Sequence, residues 1–185
     1  MAAGHIIVIG GKACSGKSTI GRALAERLGV PFLSMGDFSR EYAQRQFGMN
    51  IHEFQDFCLA NPHLDQELDR AFCEQCRNVA AEKGAVVDFR LGGHFFPDAH
   101  KVYLDISDAV AATRGKERGD ETREKLRKRN EAMRARLYAA YGFDFTDTRN
   151  YDYVLNVDQG SVDEITESVY RTLPSPWPTE NNLKG

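Results

Sequence analysis

Gly11-Lys-Ala-Cys-Ser-Gly16-Lys17-Ser18 is the stretch that most restricts what this chain can fold into. It fits G-x-x-x-x-G-K-[ST], and its flanks are the ones that make the pattern meaningful. His5-Ile-Ile-Val-Ile9 is a short apolar run that reads as a buried strand entering the Gly10-Gly11 turn. Beyond the motif, Ile20, Leu24 and Leu28, with Ala23 beside them, mark one face of a helix that stops at Gly29. Strand, glycine turn and helix start in that order make an anion cradle. Glycines let backbone N–H groups curl round phosphate oxygens without Cβ clashes. The helix start adds unpaired N–H groups and a positive dipole end. On this reading Gly11, Lys12, Ala13, Cys14, Ser15, Gly16, Lys17, Ser18 and Thr19 bind ATP. Lys17 supplies a mobile charge for the β and γ phosphates, and the Ser18 hydroxyl is placed to ligate Mg2+.

The remaining pattern extends the same architecture. Pro31-Phe-Leu33, Ala85-Val-Val-Asp88, Lys101-Val-Tyr-Leu-Asp105 and Tyr153-Val-Leu-Asn-Val157 read as four more strands. Residues 37–83 hold helical patterns alone, including Ile51–Ala60 and a stripe of Leu64, Leu68, Phe72, Cys76 and Val79 that Gly84 ends. A charged helical segment runs from about Ser107 to Tyr141, with breaks expected near Gly115 and Gly119. Ser161-Val-Asp-Glu164 has capping-box spacing and opens a last helix ending near Leu173. Strands separated by helices predict an α/β fold, a five-stranded parallel sheet flanked by helices. Residues 1–173 are expected to form one domain, with a helical insertion at about 36–84. Residues 174–185 hold three of the six prolines and no apolar period, and are expected to be a flexible tail.

Charge narrows the partners. The formal net charge is −3, which argues against a protein that coats nucleic acid. Residues 114–136 nevertheless carry ten Lys/Arg against five Asp/Glu, leaving 14 against 22 elsewhere, so one basic segment (+5) sits on an acidic body (−8). That segment reads as a local anion site. No apolar run approaches the roughly 18–20 residues of a membrane span, and Met1-Ala2-Ala3-Gly4 lacks the charged start of a signal peptide. Cys14, Cys58, Cys73 and Cys76 are too scattered for a disulfide framework. Cys73 and Cys76 have CxxC spacing but lie mid-helix with no second ligand pair, so reduced thiols and a cytoplasmic setting are expected.

Helical spacing puts Arg118, Arg129 and Arg136 on one face of the basic segment, and Arg123, Arg127 and Arg134 on another. At least two of these arginines are expected at phosphate, because phosphoryl transfer needs cations over the nucleotide. No switch Asp-x-x-Gly or base-reading Asn-Lys-x-Asp follows a strand, which leaves a GTPase reading without support. Two alternatives stay open. One is a kinase for hydroxyl acceptors with Asp37 or Asp88 as base; the other is a nucleotide-dependent regulator or RNA-binding protein.

Further fragments carry a resemblance. Ser34-Met-Gly36-Asp37-Phe-Ser-Arg40, Asn61-Pro62-His-Leu-Asp65-Gln-Glu-Leu-Asp69, Asp88-Phe-Arg90-Leu91-Gly92, Phe96-Pro97-Asp98-Ala99, and Tyr141-Gly142-Phe-Asp144 with Asp147 and Tyr151-Asp152-Tyr-Val154-Leu-Asn156 occur in this order. Together they resemble the cytidylate kinases, most closely their compact archaeal-type branch, from Gly10 to about Leu173. The resemblance implies a P-loop kinase fold with a helical acceptor-binding insertion, and a lid at about 114–136. It also implies transfer of the ATP γ-phosphate to CMP or dCMP with Mg2+. By motif match Ser34, Gly36, Asp37 and Arg40 line the acceptor site, and Arg40 and Arg90 reach its phosphate or base. Arg118 belongs to the lid, Arg129 and Arg136 bridge donor and acceptor phosphates, Asp147 faces the sugar or base, and Asp88 holds Mg2+ through water. The resemblance implies a nucleoside monophosphate as small-molecule partner; a monomer is expected, and charge and apolar run length lead to the expectation of neither nucleic acid nor membrane. Phe89 stands where the family has glycine and Val157 where it has threonine, and a bulky Phe89 bears on which base is accepted.

Overall fold

Residues 5–117, 122–174 and 177 are described by the structure, a computed structural model. Ile6–Gly11 (β1) is buried along its whole length, which puts it inside a sheet rather than at an edge. The chain continues through α1 (Lys17–Leu28), β2 (Phe32–Ser34), α2 (Met35–Phe47), α3 (Ile51–Ala60), α4 (Pro62–Lys83) and β3 (Ala85–Asp88). It then forms α5 (Gly92–Phe95), β4 (His100–Asp105), α6 (Asp108–Glu117), α7 (Arg123–Tyr141), β5 (Tyr153–Asn156) and α8 (Val162–Arg171). The strands form one sheet in the order β2-β3-β1-β4-β5, every pair parallel. This is the five-stranded α/β architecture expected from the alternating strands and helices.

Strand alternation divides the core into two layers. Ile7 and Ile9 face a cluster with Ile20, Leu24 and Leu28 of α1 and Ile165 and Val169 of α8. Ile6 and Val8 face the other side, with Phe72, Cys73 and Cys76 of α4 and Leu137 of α7. Ile7, Val8 and Ile9 are completely enclosed, worth about 2 kcal/mol each from transfer out of water. The insertion between β2 and β3 has a small core of its own, Ala43, Phe54, Cys58 and Leu68. Its helices start well: Asn50 forms a capping box with Glu53 at the head of α3, and Pro62 occupies the first turn of α4.

Two sequence expectations need correction. Gly115 does not break the basic segment; it is buried inside α6. Gly119 lies outside the described residues. The tail is not loose throughout, because Trp177 is buried in the α1–α8 layer with its ring 5.4 Å from that of His5. A lone aromatic between prolines has no period to reveal it, yet burying so large a ring is favourable enough to fix one point of the chain.

Candidate active site

Register brings the site together. Ser34 at the end of β2 pairs with Asp88 at the end of β3, and Asp88 pairs with Ile9 of β1. All three strands therefore deliver their C-terminal ends to one edge, beside the turn leaving β1. In an open parallel sheet this edge, where the chain order reverses, is where a crevice forms.

The turn is built by its backbone. Gly16 precedes α1 at φ 91°, a left-handed value that an L side chain rarely adopts, and Cys14 is the one non-glycine residue there at positive φ (63°) among the described residues. No side chain caps α1, so its first N–H groups are left for a ligand. Lys17 is buried, and its ammonium donates to the Lys12 carbonyl at 2.7 Å. Burial, and then the neighbouring Arg90 charge, pull its pKa down to about 8, against the opposite pull of Asp88. The Ser18 hydroxyl donates to Asp88 Oδ2 at 2.6 Å. The Ser15 hydroxyl and Arg90 Nε are buried without a partner. Orphaned donors of this kind cost free energy unless a ligand meets them.

A cleft of about 530 Å³ opens from this turn. Ala13, Cys14, Lys17 and Ser18 form one part of its wall; Ser34, Gly36 and Arg40 come from β2 and α2, and Asp88, Phe89 and Arg90 from β3 and the turn after it. The basic segment contributes Gly115, Arg129, Met133, Arg136 and Leu137. Gly11, Lys12, Ser15 and Gly16 shape the turn without lining the cleft, and Thr19 is exposed on α1. Arg90 stacks its guanidinium 5.5 Å from the Phe145 ring centre, and its pKa is lowered by burial before anything else. Phe89 is buried against Phe72 and Phe95, so it thickens the wall rather than plugging the space.

Two expected residues lie elsewhere. Asp37 is not part of the cleft wall; it bridges Arg22 at 2.6 Å and Arg40, and so orients Arg40 from behind. Asp147 caps the short turn Thr148–Asn150 and forms a bidentate pair with the exposed Arg149, which holds its carboxyl down near 2. Neither acid reaches the cleft because each has a local cation or backbone N–H to satisfy it. Arg118 lies outside the described residues. Arg127 and Arg134 of the second face pair with Glu131 and Asp144 instead.

Other groups were given no site role by the sequence reading, although Asp65 and Asp69 lie in the Asn61–Asp69 fragment of the resemblance. Asn130 Oδ1 accepts from the Ala13 N–H at 3.0 Å, tying α7 to the turn. Asp65 takes Arg136 at 2.9 Å, and Asp69 accepts from the Tyr141 hydroxyl at 2.7 Å; both acids line the cleft. They sit one turn apart, beside the apolar stripe of α4 rather than on it, which is the faint periodic sign they leave.

The Cytidylate kinase-like family matches residues 6–159. The chain belongs to this family. A cytidylate kinase from Sulfurisphaera tokodaii is 31% identical over 89% of the chain and 92% of its own length. An S-adenosylmethionine-dependent nucleotide dehydratase from Lacinutrix mariniflava is 38% identical over 88% of the chain, but the match spans only 34% of that relative. The fold has solved counterparts, among them a shikimate kinase from Bacteroides thetaiotaomicron, with TM-score 0.60 and 19% identity over 91% of this chain and 97% of that one. As in other members of the cytidylate kinase-like family, a kinase-like P-loop fold is thus the frame. Among the described residues no helix is long and apolar enough to cross a membrane, and no group of three or more His, Cys, Asp or Glu could hold a metal. The cysteines at 73 and 76 are buried core thiols, pushed up to about 12 for Cys73 and higher still for Cys76 by burial.

Proposed function

We propose that this cytidylate kinase-like protein is an ATP- and Mg2+-dependent nucleoside monophosphate kinase with CMP or dCMP as acceptor. The observation that carries the reading is the gathering of Lys17, Arg40, Arg90, Arg129 and Arg136 on the wall of one cleft. Positive charge at that density is costly in an empty protein and suits two phosphate-bearing substrates. The Lacinutrix relative is named for a reaction on nucleotides, which supports a nucleotide as acceptor.

The residues present fit the implied ligands. The uncapped start of α1, the orphaned Ser15 hydroxyl and buried Lys17 suit a polyphosphate. Ser18 and Asp88 would hold Mg2+, an ion that takes one or two protein groups and completes its shell from phosphates and water. The metal supplies charge neutralisation at the transferred phosphoryl group. Arg40 and Arg90 would grip the acceptor phosphate. Its second ionisation lies near pH 6, so the nucleophilic oxygen is already anionic at neutral pH and no general base is required. That oxygen bonds to the γ-phosphorus as the bond to the β–γ bridging oxygen breaks, and the electron pair leaves with ADP. Arg129 and Arg136, with Arg118 from the lid, would stabilise the charge on the group in transit. Closure of the basic helices over the cleft would exclude water.

A hydroxyl acceptor would need a carboxylate free to take its proton. Asp37 lies outside the cleft wall and Asp88 is engaged by Ser18, which weighs against that alternative. The test is ADP formation from ATP–Mg2+ with a panel of nucleoside monophosphates, nucleosides and simple alcohols. CMP and dCMP are expected to give the highest kcat/KM. Turnover of an alcohol with every monophosphate inert would overturn the reading.

A further inference from the structure

The cleft is electrically lopsided. Its cations come from the P-loop helix, α2, the turn after β3, and α7, whereas the part built by α3 and α4 contributes Ile51, Phe54, Gln55, Cys58, Leu68 and two acids. Arg136 stands at the junction, on Asp65 in this structure and close enough to Arg90 to depress its pKa. An anionic group is called for at the Arg90 end, since Arg90 Nε is a buried donor with nothing to meet it. The acceptor's other end then lies against α3 and α4.

We infer that Asp69, with Asp65 one turn before it, reads the acceptor's base and selects one that presents an N–H donor, the exocyclic amine of cytosine rather than the carbonyl of uracil. This rests on the nucleoside monophosphate kinase reading and adds the residue that sets its specificity. Asp69 is 7% exposed and accepts a hydrogen bond from the Tyr141 hydroxyl. An ionised carboxylate has about four lone-pair positions and no donor, so capacity remains on it for an incoming N–H. Burial also makes this an expensive residue to keep ionised, pushing its pKa up to about 6, and an amide could accept the Tyr141 hydrogen bond without that cost. Phe54, Leu68, Met133 and Leu137 give the same part of the cleft apolar surface for a flat ring. A uracil O4 placed there would face the lone pairs of a carboxylate, whereas a cytosine amine would satisfy them. A site that must leave a buried polar group unpaired rejects the wrong ligand strongly.

Asp69→Asn is the informative change, because Asp65 also holds Arg136 and its loss would disturb the phosphate end. Asparagine keeps an acceptor for Tyr141 and can turn either a carbonyl or an amine toward the base. At pH 8, the ratio of kcat/KM for CMP to that for UMP is expected to fall at least tenfold in Asp69→Asn. The dissociation constants of CMP and UMP, measured with a non-hydrolysable ATP analogue, should converge in parallel, with the KM for ATP within threefold of wild type. Tyr141→Phe removes the internal hydrogen bond that Asp69→Asn retains but keeps the carboxylate, and should hold the ratio within threefold. An unchanged ratio in an active, folded Asp69→Asn protein overturns the assignment while leaving the kinase reading intact. So does an equal collapse in Tyr141→Phe, which would make the pair a structural brace. Wild-type protein that phosphorylates no nucleoside monophosphate would remove both.

Discussion

Lys17 shows what a residue gains from its neighbours beyond its place in a motif. The spacing G-x-x-x-x-G-K-[ST] made its identity legible, since only glycines at both ends allow the turn. Its electrostatic state was not legible, because that depends first on burial in the folded chain and then on Arg90, seventy-three positions away by the numbering. With its pKa near 8, unliganded Lys17 is largely neutral at pH 8.5. A polyphosphate beside it favours the charged form and raises that pKa. Binding of ATP–Mg2+ at pH 8.5 should therefore take up a fraction of a proton, fading at pH 6.5 where the free lysine is already charged. Titration calorimetry in buffers of different ionisation enthalpy reads this directly, and a binding enthalpy independent of buffer at pH 8.5 would remove Lys17 from the phosphate site. Asp37 and Asp147 mark the other limit at this scale. Their motif positions matched, but Arg22, Arg40 and Arg149 claim them first, and pairing of that kind leaves no periodic trace.

Among the elements, α7 is where sequence and structure converge most usefully. An i, i+7 spacing was enough to put Arg129 and Arg136 on a common face, and both line the cleft. Arg127 and Arg134 fall on the other face and bind acids there. What spacing alone could not supply was the rotation of the helix about its axis, which Leu126 and Leu137 fix by burial and Asn130 by its bond to Ala13. Arg129→Ala and Arg136→Ala each remove a cation from the region of transferred charge. A loss of kcat of about a hundredfold to a thousandfold is expected, the scale seen when a preorganised donor is deleted. The dissociation constant for ATP should stay within about threefold, because the P-loop backbone and Lys17 hold the donor. Arg136→Ala should also raise the KM for the acceptor, since it frees Asp65 at the base end. Steady-state kinetics with equilibrium nucleotide binding separates these effects, and an unchanged kcat would exclude either arginine from the transfer step.

For the whole molecule, five apolar runs separated by helical stretches were sufficient to foresee a parallel sheet, because helices must return the chain to the same end of it. Strand order was not written in any one run; it emerges from which strands bury both faces, as β1 does, and which remain half exposed, as β5 does. The same global view explains Trp177, the sole tryptophan of the chain. It closes the α1–α8 layer near His5, which precedes β1, while the cleft lies at the opposite, C-terminal ends of the strands. Stability and catalysis should therefore separate at this position. Trp177→Ala removes a large buried ring and should cost about 3–5 kcal/mol in denaturant unfolding, with kcat/KM for the acceptor within about threefold of wild type. Trp177→Phe tests the cause more finely. The indole Nε1 is buried without a partner, so phenylalanine gives up some packing but also removes an unsatisfied donor worth about 1–3 kcal/mol. Its net effect should be small, under about 1.5 kcal/mol. Equal, wild-type-like midpoints for both variants by far-ultraviolet circular dichroism would mean that the ring contributes no packing to the layer.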